Sequence, residues 1–192
     1  ENENAVISIL NLMDAVYITT KENIEPLPNE CVLLRDWLEK YIDNAAVTDC
    51  LCRSIASMTK RIGSECISEL GDIGVCDFIA RSVMTFCGIS NKIYLLSSLN
   101  AMHNLCQGSS ANQSRFGKCN VCAFVADSFR RFVNDVEVAM ACIRCIAVLV
   151  RHTDDPAHQC VENIHKLEME GACECILSSF EMYSNHLPIK ID

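Results

Sequence analysis

The residues with the most reactive side chains are the cysteines, fourteen in 192 positions. Cys119-Asn-Val-Cys122 and Cys142-Ile-Arg-Cys145 form two C-x2-C pairs with 19 residues between them. That spacing fits four thiolates around a zinc ion, or a dithiol redox centre. The surroundings point away from both. Zinc knuckles are built on tight turns, whereas each pair lies in an apolar run of helical period, where i and i+3 set two small residues on one buried face. We therefore expect packing and no metal, and keep a zinc or redox module on Cys119, Cys122, Cys142 and Cys145 as the minor alternative.

The other reactive side chains form no constellation. Cys50, Cys52, Cys76 and Cys106 sit among Leu, Ile, Val and Ala, where a free thiol behaves as a small hydrophobe. At about 7% of the chain, cysteine stays under the roughly 8–10% of a small disulfide scaffold. The expectation is reduced thiols in a cytoplasmic protein. His103, His152, His158, His165 and His186 are scattered; His158 and His165 could share a helix face, but no ligand completes a set. Cys160 and His165 lack an oxyanion-stabilising or orienting group. Gly71 and Gly74 have no phosphate-loop context, and Arg130-Arg131 is too short for a basic patch. Asn112-Gln-Ser114 is a glycosylation sequon, without meaning in a cytoplasmic protein. No enzyme and no cofactor are expected.

Composition sets the frame in which these residues must be positioned. Half the residues are hydrophobic and 21% charged, which excludes a disordered tail. Seven Gly and four Pro come to about 6%, half the usual roughly 12%, too few turns for a sandwich or barrel. A net charge of −9 argues against nucleic acid and anionic membranes as partners. The longest apolar stretch, Val138 to Val150, is split by Arg144 and falls short of the ~20 residues that span a bilayer. Glu at position 1 reads as the start of a piece of a longer protein.

One pattern recurs along the chain. Ile73-Gly-Val-Cys-Asp-Phe-Ile79 returns as Phe116-Gly-Lys-Cys-Asn-Val-Cys122 and as Glu170-Gly-Ala-Cys-Glu-Cys-Ile176, with a weaker first copy at Asn29-Glu-Cys-Val-Leu-Leu34. Each Gly is read as the turn entering a helix, with Phe78, Ile79 and Phe86, or Phe124, Phe129 and Phe132, on its apolar face. Polar breaks follow at Asp43-Asn44, Ser90-Asn91 and Asn134-Asp135, all good N-caps. Longer apolar helices are then predicted over Val47–Met58, Ile93–Cys106 and Val136–Val150. Shorter ones are predicted over Glu65–Leu70, Gln113–Phe116 and Pro156–Met169, the last behind an Asp154-Asp155-Pro156 start signal. A three-helix unit of ~43 residues cannot bury its faces alone, so neighbours must stack into a solenoid.

These residues resemble the armadillo repeat, whose third helix reads A-L-x-A-L-x-N-L-A-x-G. Ser98-Leu-Asn-Ala-Met-His-Asn-Leu-Cys-Gln-Gly108 follows that form closely, and Cys142-Ile-Arg-Cys-Ile-Ala-Val-Leu-Val150 follows it with Val148 at the Asn site. Leu51-Cys-Arg-Ser-Ile-Ala-Ser-Met-Thr59 and Ile9-Leu-Asn-Leu-Met-Asp-Ala-Val-Tyr17 are looser copies. The resemblance covers essentially the whole chain. It implies an all-α, right-handed superhelical solenoid of one array: a partial repeat 1–28, repeats at about 29–64, 65–108 and 113–152, and a final partial repeat 156–192.

The resemblance also implies a concave groove lined by third helices that holds an extended peptide. Importin-α-like members grip a basic peptide with Trp and Asn ladders. Here the Trp sites carry Asn11, Arg53, Asn100 and Arg144, and the Asn sites carry Ala15, Ser57, Asn104 and Val148. The lone Trp37 falls in a second helix, where it packs. The expected groove is therefore Arg53, Ser57, Asn100, Asn104, Arg144 and Val148, suited through Arg forks and amides to a neutral or acidic segment of a protein partner. Arg61 and Arg151 fall near the ends of the same helices. The alternative is a regulatory array that docks a small GTPase or a neighbouring domain through its outer helices around Phe124 to Phe132. Terminal repeats without caps also leave the chain open to self-association.

Overall fold

The computed structural model describes residues 2–19, 28–86, 91–107, 109–151 and 160–183, with backbone only for 28–32 and 160. Among them are eleven helices and no strand: α1 Glu3–Thr19, α2 Pro28–Lys40, α3 Ala45–Met58, α4 Ser64–Asp72, α5 Val75–Phe86, α6 Lys92–Cys106, α7 Ser110–Lys118, α8 Val121–Arg131, α9 Val136–Leu149, α10 Cys160–Met169 and α11 Ala172–Tyr183. Asp154-Asp155-Pro156, Ser90, Gly108, His152, His158, His186 and the side chains of Asn29 and Cys160 lie outside the described residues.

The three long helices α3, α6 and α9 begin where the polar breaks predict. Asn44 accepts from the Val47 N–H, Asn91 from Ile93 and Tyr94, and Asp135 from Glu137 and Val138. Each cap satisfies N–H groups that the first turn leaves without partners, which stabilises a helix by about 1 kcal/mol.

Like packs against like along the chain. The long helices contact in series, α1 on α3, α3 on α6 and α6 on α9. The short helices α4, α7 and α10 do the same, as do α2, α5, α8 and α11. A continuous core of Leu51, Ile55, Phe78, Leu99, Phe116 and Phe129 runs through these contacts, with Trp37 buried in it. Small donors on α3 and α9 tie each to a carbonyl of the long helix before it: Ser54 Oγ to Leu10 O at 2.9 Å, and Cys145 Sγ to Leu99 O at 3.0 Å.

The glycine frame needs a correction. Gly74 (φ +92°) and Gly171 (φ +73°) do stand in left-handed backbone immediately before α5 and α11, but the residue with that geometry before α8 is Asn120 (φ +59°). Gly117 lies inside α7, three residues earlier, and its counterpart is Gly71 inside α4. Both are there because another side chain needs the space. A Cβ on Gly71 would overlap the Asn112 carboxamide, and one on Gly117 the Asn163 carboxamide. In the same frame α7 opens at Ser110, three residues ahead of the expected repeat start at 113.

The outermost helices leave apolar side chains uncovered. Ile9, Leu12 and Val16 of α1 are 46%, 65% and 47% exposed, whereas Leu51, Ser54 and Met58 at the same register of α3 are buried. Leu177 and Phe180 of α11 are likewise exposed where Ala126 and Phe129 of α8 are not.

Candidate groove site

Three of the six predicted groove residues line one surface cavity of about 290 Å³. Its walls come from three successive long helices. Asp14 and Ile18 belong to α1, Arg53, Ala56 and Ser57 to α3, and Ile93, Leu96, Ser97 and Asn100 to α6, with Lys60 just beyond α3. Ile18 and Ile93 are more than half exposed there, giving apolar contact beside the polar groups. The cavity can hold an extended chain through amide and hydroxyl hydrogen bonds with an aliphatic side chain between the isoleucines.

Arg53 is not a free fork. It donates to Asn11 Oδ1 at 3.3 Å and to Cys50 Sγ at 3.1 Å, and faces Asp49 and Asp14 at 3.4 and 3.9 Å. Asp14 also accepts from Ser57 Oγ. These partners neutralise Arg53 and fix it as a wall of the site. Arg144 repeats one of its contacts, donating to Asn100 Oδ1 at 3.4 Å, so each Arg reaches back to the Asn at the equivalent position of the preceding long helix. Arg144 is otherwise exposed.

Asn104 and Val148 sit deeper than the groove reading places them, only 7% and 5% exposed. The Asn104 amide donates to Ala56 O on α3 at 2.7 Å, so it holds two long helices together. Neither residue lines the cavity. On the outer helices, Phe124 and Phe129 are in the core, which leaves Asp127, Arg130 and Arg131 as the exposed side chains of that stretch.

The cysteines do not converge. Cys119 donates to Asp77 at 3.1 Å, Cys122 faces Asn163 O at 4.0 Å, Cys145 donates to Leu99 O, and Cys142 is fully buried. Among the described residues no three His, Cys, Asp or Glu side chains come together around a metal position. The four cysteines of the zinc alternative are therefore not brought together in this structure. The thiols are also kept protonated. Burial pushes Cys119 and Cys122 up to about 11, Cys145 and Cys52 to about 12, and Cys142 higher still. A thiolate is the nucleophile, so burial works against nucleophilic use of these thiols.

Two asparagines have a structural role that the sequence did not reveal. Asn112 Nδ2 donates to Ile67 O on α4 at 2.9 Å and to Leu105 O at 3.0 Å, in the last turn of α6. Asn163 repeats this on Gln113 O and Leu149 O at 3.3 and 3.0 Å. Each asparagine thus joins successive short helices and satisfies a carbonyl that the end of a long helix leaves open. Asn112 is fully buried, so its sequon is closed to glycosylation in the folded chain. Aligning Gly71 with Gly117 would have exposed the pair, because that frame also matches Phe78-Ile-Ala80 to Phe124-Val-Ala126.

Fold and site define an all-helical protein in which no helix among the described residues is long and apolar enough to cross a membrane. No protein-family model, curated protein or solved structure matches the chain.

Proposed function

We propose that the chain is an armadillo-type solenoid acting in the cytoplasm as a non-enzymatic interaction module. In this reading it holds an extended, neutral or acidic segment of a partner protein across α1, α3, α6 and α9. The observation that carries it is the cavity shared by α1, α3 and α6, which contains Arg53, Ser57 and Asn100 together with exposed Ile18 and Ile93. The serial contacts of long helix on long helix and short on short support the repeat architecture. Buried, protonated thiols suit a reducing compartment.

An array of extended peptides of graded charge, probed with the whole chain, tests the reading. Asn100→Ala combined with Ile93→Ala removes one hydrogen-bonding and one apolar contact without touching the core. The expected loss is about tenfold in affinity, or roughly 1.4 kcal/mol, with an unchanged circular dichroism spectrum. Selection of basic peptides, or equal binding by wild type and variant, overturns it.

A further inference from the structure

A second cavity, of about 460 Å³, opens on the other side of Arg53, and Arg53 is in the wall of both. It lies toward the N-terminal ends of the same long helices. Ile7 and Asn11 come from α1, Asp49 and Arg53 from α3, and Asn91 and Tyr94 from the start of α6. Phe86 of α5 also lines it and meets Tyr94 edge-on, ring centroids 5.7 Å apart. Among the described residues, Asp49 Oδ1 and Arg53 Nε are the two buried side-chain atoms without a hydrogen bond, and both residues line this one cavity. Buried polar atoms are nearly always paired, because an unmade bond leaves their desolvation uncompensated. The two asparagines are only half used. Asn91 Oδ1 accepts from the Ile93 and Tyr94 N–H groups, and Asn11 Oδ1 from Arg53 and Cys50. Both acceptors are thereby committed, and each carboxamide keeps its N–H donors. Charge is matched, since Arg53 stands 3.4 Å from Asp49 and 3.9 Å from Asp14.

We propose that this cavity is a carboxamide pocket, which takes the side chain of a glutamine or asparagine on the partner segment. Only the carrier of the carboxamide rests on the groove reading. A primary carboxamide has the complementary groups: N–H donors for Asp49 Oδ1, and an oxygen with two lone pairs for the Asn11 and Asn91 donors. Asp49 keeps 18% of its side chain exposed, so its carboxylate can turn Oδ1 to the entering N–H. Ile7, Phe86 and Tyr94 give the methylene stem an apolar bed. Other side chains fit worse. A carboxylate sets its charge against Asp49 and brings no donor, while a cation sets its charge against Arg53 and brings no acceptor. An aliphatic chain leaves Asp49 Oδ1 unpaired. Successive side chains of an extended segment point opposite ways. A segment crossing Arg53 therefore places the carboxamide next in sequence to the aliphatic side chain held by Ile18 and Ile93.

The test follows the Arg53 Nε–H and the Asn91 side-chain N–H signals by NMR in the whole, isotope-labelled chain. Propionamide is the probe; N,N-dimethylpropionamide, propionate, propylammonium and propanol at equal concentration are the controls. The expected result is a saturable, millimolar response to propionamide, at least about tenfold weaker with each control. Asn91→Asp keeps the cap on α6, as Asp135 does on α9, but has no N–H to give. It abolishes the response with the urea midpoint unchanged. Ala46→Leu, at an exposed position on the cavity wall, fills the space and does the same. Absence of a saturable response, an equal response to any control, or a response that survives both variants overturns the pocket. Peptide capture that ignores both Asn91→Asp and a carboxamide beside the aliphatic residue sinks this proposal alone. A propionamide response without peptide capture sinks the groove reading alone.

Discussion

Gly71→Ala reverses the usual sign of a glycine replacement in a helix. Inside an ordinary helix the change stabilises by about 0.5–1 kcal/mol, because Ala has less backbone freedom to lose. Gly71 is buried in α4, and its missing side chain leaves the space that the Asn112 carboxamide fills, with Cγ 2.8 Å from where a Cβ would stand. An alanine forces that carboxamide out. The donors to Ile67 O and Leu105 O, and the 2.7 Å bond from Arg115 to Asn112 Oδ1, go with it. Each buried group left unmade costs about 1–3 kcal/mol. Two such losses, less the helix gain, leave a net destabilisation of about 2–4 kcal/mol. With a urea m-value near 3 kcal/mol/M, the midpoint falls by about 1 M. In Asn112→Ala the space is free, so Gly71→Ala becomes neutral or stabilising there, and the double-mutant cycle shows a coupling of about 2 kcal/mol or more. Gly117 and Asn163 repeat the pair one unit on and give an internal replicate. Stabilisation by Gly71→Ala in the wild type, or additive single variants, would refute the reasoning.

Further predictions concern other positions. Asn104→Ala leaves the chain folded but lowers stability by about 1–3 kcal/mol, read by urea unfolding, because Ala56 O loses a buried donor. Asn120→Gly relieves a left-handed backbone and stabilises by about 1 kcal/mol, raising Tm by roughly 2–4 °C in a scanning calorimeter. Stability falls as pH rises above the ordinary thiol range. Cys122 at about 11 and Cys52 at about 12 are raised by folding, so the unfolded chain releases these protons first, and urea midpoints decline from about pH 9 upward. The uncovered stripe of Ile9, Leu12 and Val16 makes the isolated chain associate as its concentration rises. Sedimentation velocity detects this, and Leu12→Glu reduces it.

Helix positions were legible in the sequence to within a few residues because local physics decides them. Asn44, Asn91 and Asp135 cap at the predicted breaks, and the long helices that follow end where their apolar period ends. The placement of the residues expected in a groove was legible only in part. A helical register can place Arg53, Ser57 and Asn100 on one side of successive helices, and they do line one cavity. It cannot say that Arg53 is neutralised by Asp14 and Asp49, or that Asn104 turns inward to Ala56, since both depend on how closely neighbouring helices approach. Glycine shows the division most sharply. The sequence by itself determined that glycine recurs where short helices end, but glycine meets two different needs, a left-handed turn and the absence of a side chain. Gly74 serves the first; Gly71 and Gly117 serve the second. Only the packing of one short helix on the next decides between them, because only there does an asparagine arrive to fill the space.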